Sequence, residues 1–306
     1  MSDLAGSPLA EAGAPLVTVA MPIYNAGAYL RMAVLSILNQ TETNWELLII
    51  DDGSTDNALD SIRDINDQRI RIFRDGANKG LAARLNEAID LARGKYFARM
   101  DQDDVSYPER FAKQIKALQD DAALDLAATR AIQIDESNRG FGVFPSAISH
   151  EEICVHPWKG FYFPHPTWMG KIEWFRKYRY AVPGPYFCED QELLLRSYRE
   201  SQFATVDDVL FAYRVRHAIN WRKILRTRKT VWKVQLRQFK ESHQWGYIVL
   251  ASMVFVGRVV GDIAKFVVWE VLHSKPHQLD DNLSRQWDVI LRTVTSDRAE
   301  LVGYAE

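Results

Sequence analysis

The chain has 306 residues, 47% of them hydrophobic and 25% charged, with a formal net charge of -2. This is the balance of a globular chain large enough for one big domain and an appendage. It argues against a general nucleic-acid or other polyanion binder. Two cysteines, Cys154 and Cys188, have no metal-ligand spacing and form no disulfide framework, which fits a reducing, cytoplasmic setting.

Residues 1–15 lack a basic leader and an apolar core, so the sequence predicts a disordered tail there rather than a signal peptide. The first apolar run, Val17 to Met21, ends in Pro22-Ile23-Tyr24-Asn25. Leu30, Ala33, Val34, Ile37 and Leu38 then fall at helical spacing. A second run, Trp45 to Ile50, stops in Asp51-Asp52-Gly53-Ser54-Thr55-Asp56, where Gly53 permits a sharp turn and Ser54 and Asp56 are helix-capping types. A short apolar run that stops in acids and glycine reads as a buried parallel strand emptying into a ligand crevice.

Ile70 to Phe73 reads as another strand, and Leu81, Leu85, Ala88, Ile89 and Ala92 as a helix face. The apolar run Tyr96 to Met100 opens into Asp101, Asp103 and Asp104. Carboxylate oxygens are hard ligands for Mg2+ or Mn2+, and a cation with open positions can bridge the phosphates of a nucleotide. The competing reading is a solvated acidic turn before the helix that starts at Pro108. A helix face at Phe111, Ile115 and Leu118 and a strand at Leu124 to Ala128 complete the alternation. Residues 16–128 therefore predict an α/β fold, a doubly wound and mostly parallel Rossmann-like sheet with ligands at its carboxyl edge. No Gly-x-Gly-x-x-Gly follows the first strand and no Gly-Lys-Ser/Thr occurs, which disfavours a dinucleotide redox enzyme and a P-loop ATPase.

Four segments, Val-Thr-Val-Ala-Met-Pro-Ile-Tyr-Asn at 17–25, Asp-Asp-Gly-Ser-Thr-Asp at 51–56, Asn-Lys-Gly-Leu-Ala-Ala-Arg-Leu-Asn at 78–86 and Arg-Met-Asp-Gln-Asp-Asp at 99–104, together resemble the serial motifs of family 2 inverting glycosyltransferases. The resemblance covers residues 16–217. It implies a GT-A fold that takes a nucleotide-sugar, most often a UDP-sugar, with a divalent cation, Mn2+ or Mg2+. By position, it puts Pro22, Tyr24, Asn25 and Asp52 at the nucleoside, with Asp52 facing the base. Asp101 would lie near the ribose or donor sugar, Asp103 would be the metal ligand and Asp104 a support. A cation there would stabilise the departing diphosphate.

Farther along, Phe187-Cys188-Glu189-Asp190-Gln191-Glu192 precedes three leucines. Acids in a first helical turn favourably meet the helix dipole, and that alone would account for them. Glu189-Asp190 also resembles the family's ED motif, which implies Asp190 as the base for the acceptor hydroxyl and Glu189 as an acceptor contact. Phe163-Pro164-His165-Pro166-Thr167-Trp168-Met169 resembles the HPT segment that precedes that motif. His165 and Trp168 then form the floor under a sugar, or else belong to a prolyl loop packed in the core. Ala212-Tyr213-Arg214-Val215-Arg216-His217 resembles the YRxH segment that closes the catalytic domain, with His217 completing the metal shell or touching the diphosphate. Processive members carry Gln-x-x-Arg-Trp after the base; residues 193–199 here read LLLRSYR, which implies one sugar per encounter.

The expected division is a GT-A domain over 16–220, with a nucleotide-binding half at 16–128 and an acceptor-binding half at 129–220, followed by a helical region over 221–306. From Val209 to Lys240 there is no acid, while Arg214, Arg222, Lys229, Lys233 and others accumulate. The apolar run Tyr247 to Leu272 follows, interrupted by Arg258, Asp262 and Lys265, with Arg258 and Asp262 spaced to pair. Each such charge costs about 2.5–3.5 kcal/mol near a bilayer midplane, and the uncharged stretch is shorter than a span needs, so a simple transmembrane helix is not expected. Two readings remain for 214–272: an interfacial helix whose basic approach rests on anionic lipid at the inner face of the cytoplasmic membrane, suited to a lipid-linked glycan acceptor, or a hairpin packed on the domain or on a second subunit of a homo-oligomer. The activity expected is single-sugar transfer to a saccharide or glycolipid in surface polysaccharide assembly. The alternatives are a sugar nucleotidyltransferase on a similar sheet and a non-catalytic scaffold.

Overall fold

A computed structural model describes residues 13–185, 187–215, 221–269 and 279–295. Residues 1–12 of the expected tail and His217 lie outside the described residues. β1 (Val17–Ile23) and β2 (Trp45–Asp51) are buried at every position, as runs covered on both faces must be. Between them runs α1 (Leu30–Leu38), which turns Ala33, Val34 and Ile37 inward. β3 (Ile70–Arg74) lies outside β2, and α2 (Leu81–Leu91) carries the chain back to β4 (Tyr96–Arg99) on the other side of β1. Strand order thus reverses at β1, and the crevice beside its carboxyl end is where a ligand fits such a sheet.

The remainder extends the same sheet. In chain order come β5 (Val105–Ser106), α3 (Arg110–Asp120), β6 (Leu126–Ile134), β7 (Gly140–Val143), α4 (His150–Cys154), β8 (Met169–Lys171), α5 (Ile172–Lys177), α6 (Glu189–Ser197) and β9 (Phe203–Arg214). The sheet order is β3-β2-β1-β4-β8-β6-β9-β5, with β7 on β6. β1, β2, β3 and β4 pair in parallel, as do β6 and β9, while β5, β7 and β8 run antiparallel to their partners. The expected strand at Leu124 to Ala128 starts later and runs on to Ile134, because Arg130 and Gln133 broke the apolar run that marked it in sequence. The two larger hydrophobic cores among the described residues flank the sheet: one around α1 and α3, and the other around α2, α5, α6 and the aromatic group Phe163, Trp168, Phe175 and Phe203.

The C-terminal part is helical, as expected. α7 (Trp221–Glu241) and α8 (Trp245–Trp269) form an antiparallel hairpin, and α9 (Asp281–Thr295) seats Trp287 against Ile132, Ile134 and Tyr107. Arg258 and Asp262 do not pair. Asp262 instead binds Arg228 of α7 through both carboxylate oxygens, and Arg258 donates to the Lys159 carbonyl at 2.8 Å. Tertiary partners outcompete the flexible i,i+4 contact. The apolar run is also longer than its charge-free part: Trp245–Ala264 has a mean hydropathy of 1.7, enough by length and composition to cross a membrane, and is 6% buried.

Candidate active site

The carboxyl ends of β1, β2 and β4 open into a cleft of about 530 Å3, closed on its far side by the start of α6. Four backbone and side-chain ties set its floor. The Asp52 amide donates to the Ile23 carbonyl and the Met100 amide to the Ala20 carbonyl, so three strand ends stay level. Gln102 clamps Tyr24 at two points, accepting from its amide at 2.7 Å and donating to its carbonyl at 3.1 Å. Gly53 adopts φ +76°, and a β-carbon there would meet the Ala77 backbone at 3.1 Å, so the turn admits little else.

Asp52 lines the cleft, but its oxygens are engaged from behind: Lys79 and Gly80 amides donate to it at 2.6 and 3.0 Å, and Arg84 Nε at 2.9 Å. Arg84 is almost wholly buried and also binds Asp75, Glu87 and the Ala77 carbonyl. Hydrogen bonds to Asp75 first, then to Glu87 and Asp52, outweigh burial and raise its pKa. The guanidinium thus fixes the loop after β2 to the entry of α2. Pro22 lies in the same wall, and Tyr24, 47% exposed, offers a ring at the rim. Asn25 stands outside the lining. Its Oδ1 accepts from the Thr55 and Asp56 amides at 2.8 and 3.3 Å, so it ties the loops after β1 and β2 together.

Asp101, Gln102 and Asp103 all line the cleft. Asp101 pairs with Arg99 Nη2 at 2.7 Å. Arg99 is 3% exposed, and its Nε and Nη1 have no hydrogen-bond partner. Burial disfavours its charge, yet Asp101, Tyr180 and Glu189 together raise its pKa. Asp104 faces away, accepting from the Arg214 amide at 2.7 Å. Burial, then the charges of Asp101 and Asp103, push its carboxyl well above the usual range.

Glu189 and Asp190 enter from the first turn of α6. Burial and then Asp190 push Glu189 up to about 7, and burial raises Asp190 as well. Gln191, braced by the Phe161 amide at 2.9 Å, donates to Asp190 Oδ2 at 3.2 Å. His165 lines the cleft with Nε2 2.8 Å from the Tyr180 hydroxyl, and burial with Arg99 beside it pushes its pKa well below the ordinary value. Of the two readings open for Trp168, a floor under a sugar or packing in the core, its burial fits the second. It is fully buried, donates to the Phe163 carbonyl at 3.2 Å and props His165 edge-on from below, with ring centroids 4.5 Å apart. Arg99, Gln102, Phe187, Tyr213 and Lys223 also line the cleft and were not singled out from sequence for it. Phe187 adopts φ +49°, a strained setting for an aromatic residue, and Lys223 of α7 lies 4.1 Å from its ring centre.

The sequence profile of glycosyl transferase family 2 matches residues 18–179. The chain belongs to that family. Glu189 and Asp190 lie beyond the matched stretch, in the part the fold folds back onto the cleft. EpsE of Bacillus subtilis (strain 168), named as a glycosyltransferase, is 36% identical over 193 residues, covering 61% of this chain and 68% of its own. WfgD of Escherichia coli, a UDP-Glc:alpha-D-GlcNAc-diphosphoundecaprenol beta-1,3-glucosyltransferase, is 31% identical over 138 residues, 45% of this family 2 chain and 54% of WfgD. In fold, the chain is similar to Staphylococcus aureus TarS 1–349 in complex with UDP, with a TM-score of 0.59 at 15% identity over 91% of this chain and 79% of that one. It spans 39% of a longer TarS structure. It is also similar to the mannosyltransferase PcManGT of Pyrobaculum calidifontis in complex with GDP-Man and Mn2+, with a TM-score of 0.57 at 14% identity over 96% and 89% of the two chains. The mixed, mostly parallel sheet with its helical C-terminal part is the GT-A arrangement.

Proposed function

We propose that this chain is an inverting, divalent-cation-dependent glycosyltransferase that moves one sugar from a UDP-sugar to a hydroxyl of a saccharide or lipid-linked glycan, in surface polysaccharide assembly on the cytoplasmic side of a membrane. The observation that carries the reading is the charge of the cleft. Asp52, Asp101, Asp103, Glu189 and Asp190 face it, against Arg99 and Lys223. A diphosphate entering alone meets an excess of carboxylates; a diphosphate entering with a divalent cation does not.

Among the described residues no three metal-ligating side chains cluster, so the protein offers no closed cage. Mg2+ and Mn2+ are commonly held by one or two carboxylates with phosphate and water oxygens completing the shell. Asp103 fits that role, with Asp101 beside it but tied to Arg99. When bound, the cation supplies charge stabilisation of the leaving diphosphate. Tyr24 and Pro22 flank the nucleoside, and Asp52, held rigid by Arg84, faces the base. His165 supports the sugar as a neutral imidazole.

Asp190 takes the acceptor hydroxyl's proton as that oxygen bonds to the anomeric carbon and the bond from that carbon to the diphosphate oxygen breaks. Burial raises its pKa, which strengthens it as a base, and Gln191 orients it. Glu189 contacts the acceptor. The names of WfgD and of the UDP complex of TarS support a UDP-sugar, and PcManGT supports Mn2+.

The test is calorimetric titration of UDP into the full chain with and without Mn2+, repeated on Asp103→Ala. Metal-dependent binding lost in the variant supports the reading, and NMR of the anomeric proton of the product then reports inversion. Binding indifferent to metal overturns the cation dependence; no binding at all, with no turnover of any nucleotide-sugar, points to a scaffold that kept the fold.

A further inference from the structure

α8 presents two unlike sides. Its charged residues Arg258 and Asp262 are satisfied inward, by the Lys159 carbonyl and by Arg228. Ser252, also inward, accepts from Trp232 Nε1 at 3.1 Å, and the Trp232 and Phe255 rings stack with centroids 4.7 Å apart. The outward side carries Val249, Met253, Val256, Val260 and Ile263, each 57–66% exposed. From Trp245 to Ala264 every exposed position is uncharged. At the end of the hairpin Trp221, Ile224 and Leu225 of α7 join Val259 and Ile263 around an apolar hollow of about 370 Å3. An unbroken apolar face of this length is more than scattered surface hydrophobics produce.

The neighbouring helix is basic. Arg222, Lys229, Lys233 and Lys240 are exposed along α7, and the chain has no acid from Val209 to Lys240. Packed helices lie roughly 8–10 Å apart, about one Debye length at physiological salt, so these charges act on whatever meets the α8 face. A second copy of the chain would bring two basic helices together without acids to offset them. A surface of anionic head groups over acyl chains matches both sides at once.

We propose that the α7–α8 hairpin docks on an anionic bilayer, with α8 lying in the plane of the interface and the α7 cations on the head groups. α8 does not cross the bilayer in this arrangement, since Arg228, bound to Asp262, and the basic stripe would have to follow it into hydrocarbon. The first turn of α7 also supplies Lys223 to the cleft, beside Phe187. The rim of the site therefore stands at the membrane surface, where the hydroxyl of a lipid-linked acceptor lies. That last step rests on the proposed glycosyl transfer; the docking itself does not.

The experiment is sedimentation of the full chain with phosphatidylcholine vesicles, with and without phosphatidylglycerol, at low and high salt and without nucleotide. The expected result is partition to the anionic vesicles that salt weakens. Met253→Glu and Val256→Glu should each lower it roughly tenfold or more, as loss of one buried apolar side chain implies. The surface pair Lys229→Glu with Lys233→Glu should lower it by a similar factor, and this second variant touches no packing. Thermal melts and UDP titration of the same variants separate a failed fold or a failed donor site from failed docking. Native chain that stays in the supernatant overturns the proposal, as do variants that pellet like it. A dimer by light scattering that Met253→Glu converts to monomer, with no vesicle binding, would make the face a subunit contact instead.

Discussion

Arg84 is the residue whose removal should cost most for the least visible change at the cleft. Its guanidinium meets three carboxylates, but they are not equal. Asp75 and Glu87 are 38% and 34% exposed, so solvent screens them and their contribution is small. Asp52 is 8% exposed against 1% for Arg84, and this pair is buried. Breaking a buried pair by removing one partner costs about 3–5 kcal/mol, because the other charge stays behind without its counterion. Asp52 keeps the Lys79 and Gly80 amides, which places the loss toward the lower end.

Arg84→Met should therefore destabilise by about 3 kcal/mol and lower Tm by roughly 6–12 °C, taking about 2–4 °C per kcal/mol for a large domain. UDP affinity should fall as well, since the same cation fixes the loops after β2 and β3. Asp75→Ala, which removes an exposed partner of the same guanidinium, should leave Tm close to the native value. The sign with pH follows from Asp75, which hydrogen bonds from Arg84, then Lys79, hold below the usual carboxylate range. A depressed carboxyl stabilises above its unfolded pKa, so the small share that Asp75 adds to the native chain's advantage over Arg84→Met should be lost only as pH falls below about 4. Differential scanning calorimetry of the three proteins decides the matter. An Arg84→Met variant that melts within about 2 °C of the native chain, or an Asp75→Ala variant that loses as much, would refute the division between buried and screened partners.

Asp190→Asn should reduce transfer by about 10²–10⁴ while UDP binding is kept; a variant with native turnover would move the base elsewhere. Burial raises both Glu189 and Asp190, and the Asp190 charge adds to the rise of Glu189, to about 7, so kcat/KM should climb with pH through neutrality. Glu189→Gln removes the neighbouring charge and should move that limb to lower pH; an unmoved limb would detach it from this pair. The raised value makes Glu189 lose stability for the fold as pH rises from its unfolded pKa through about 7, so Glu189→Gln should melt higher than the native chain at pH 8. Trp168→Phe should cost about 1 kcal/mol through the lost bond to the Phe163 carbonyl and leave KM unchanged, whereas a raised KM with native Tm would restore the ring to the sugar site.

The strands that build the cleft were legible because burial on both faces writes them as continuous apolar runs, and because such runs end where the chain turns toward ligand. β5, β7 and β8 have two to four residues each and carry no period to read. Tyr24, Asp52, Asp101, Asp103, His165, Glu189 and Asp190 meet in one cleft, where the family resemblance of their segments had put them. Asn25 and Trp168 share those segments but point elsewhere, since neighbours in a tight loop or short turn face different ways. Tyr213 and Lys223 escaped notice for the opposite reason: each lies near the end or start of a regular element far along the chain, and only the pairing of β6 with β9 and the packing of α7 bring them to the site, whereas Arg99, at the end of β4, was read as part of its strand.

The two edges of the sheet show why the chemistry belongs at one of them. At the amino edge Glu46 is buried with every oxygen taken. Burial opposes its charge, but Arg93, Thr18 and Arg71 donate to it and hold its pKa below the ordinary value. Such a site is closed and serves stability. At the carboxyl edge Arg99 keeps two buried N–H groups without partners, and Glu189 and Asp190 are raised rather than lowered. The same residue types are thus saturated where the fold needs only strength and left under-satisfied where a ligand would complete them. Buried groups in that state cost stability, and a fold retains that cost where binding returns it.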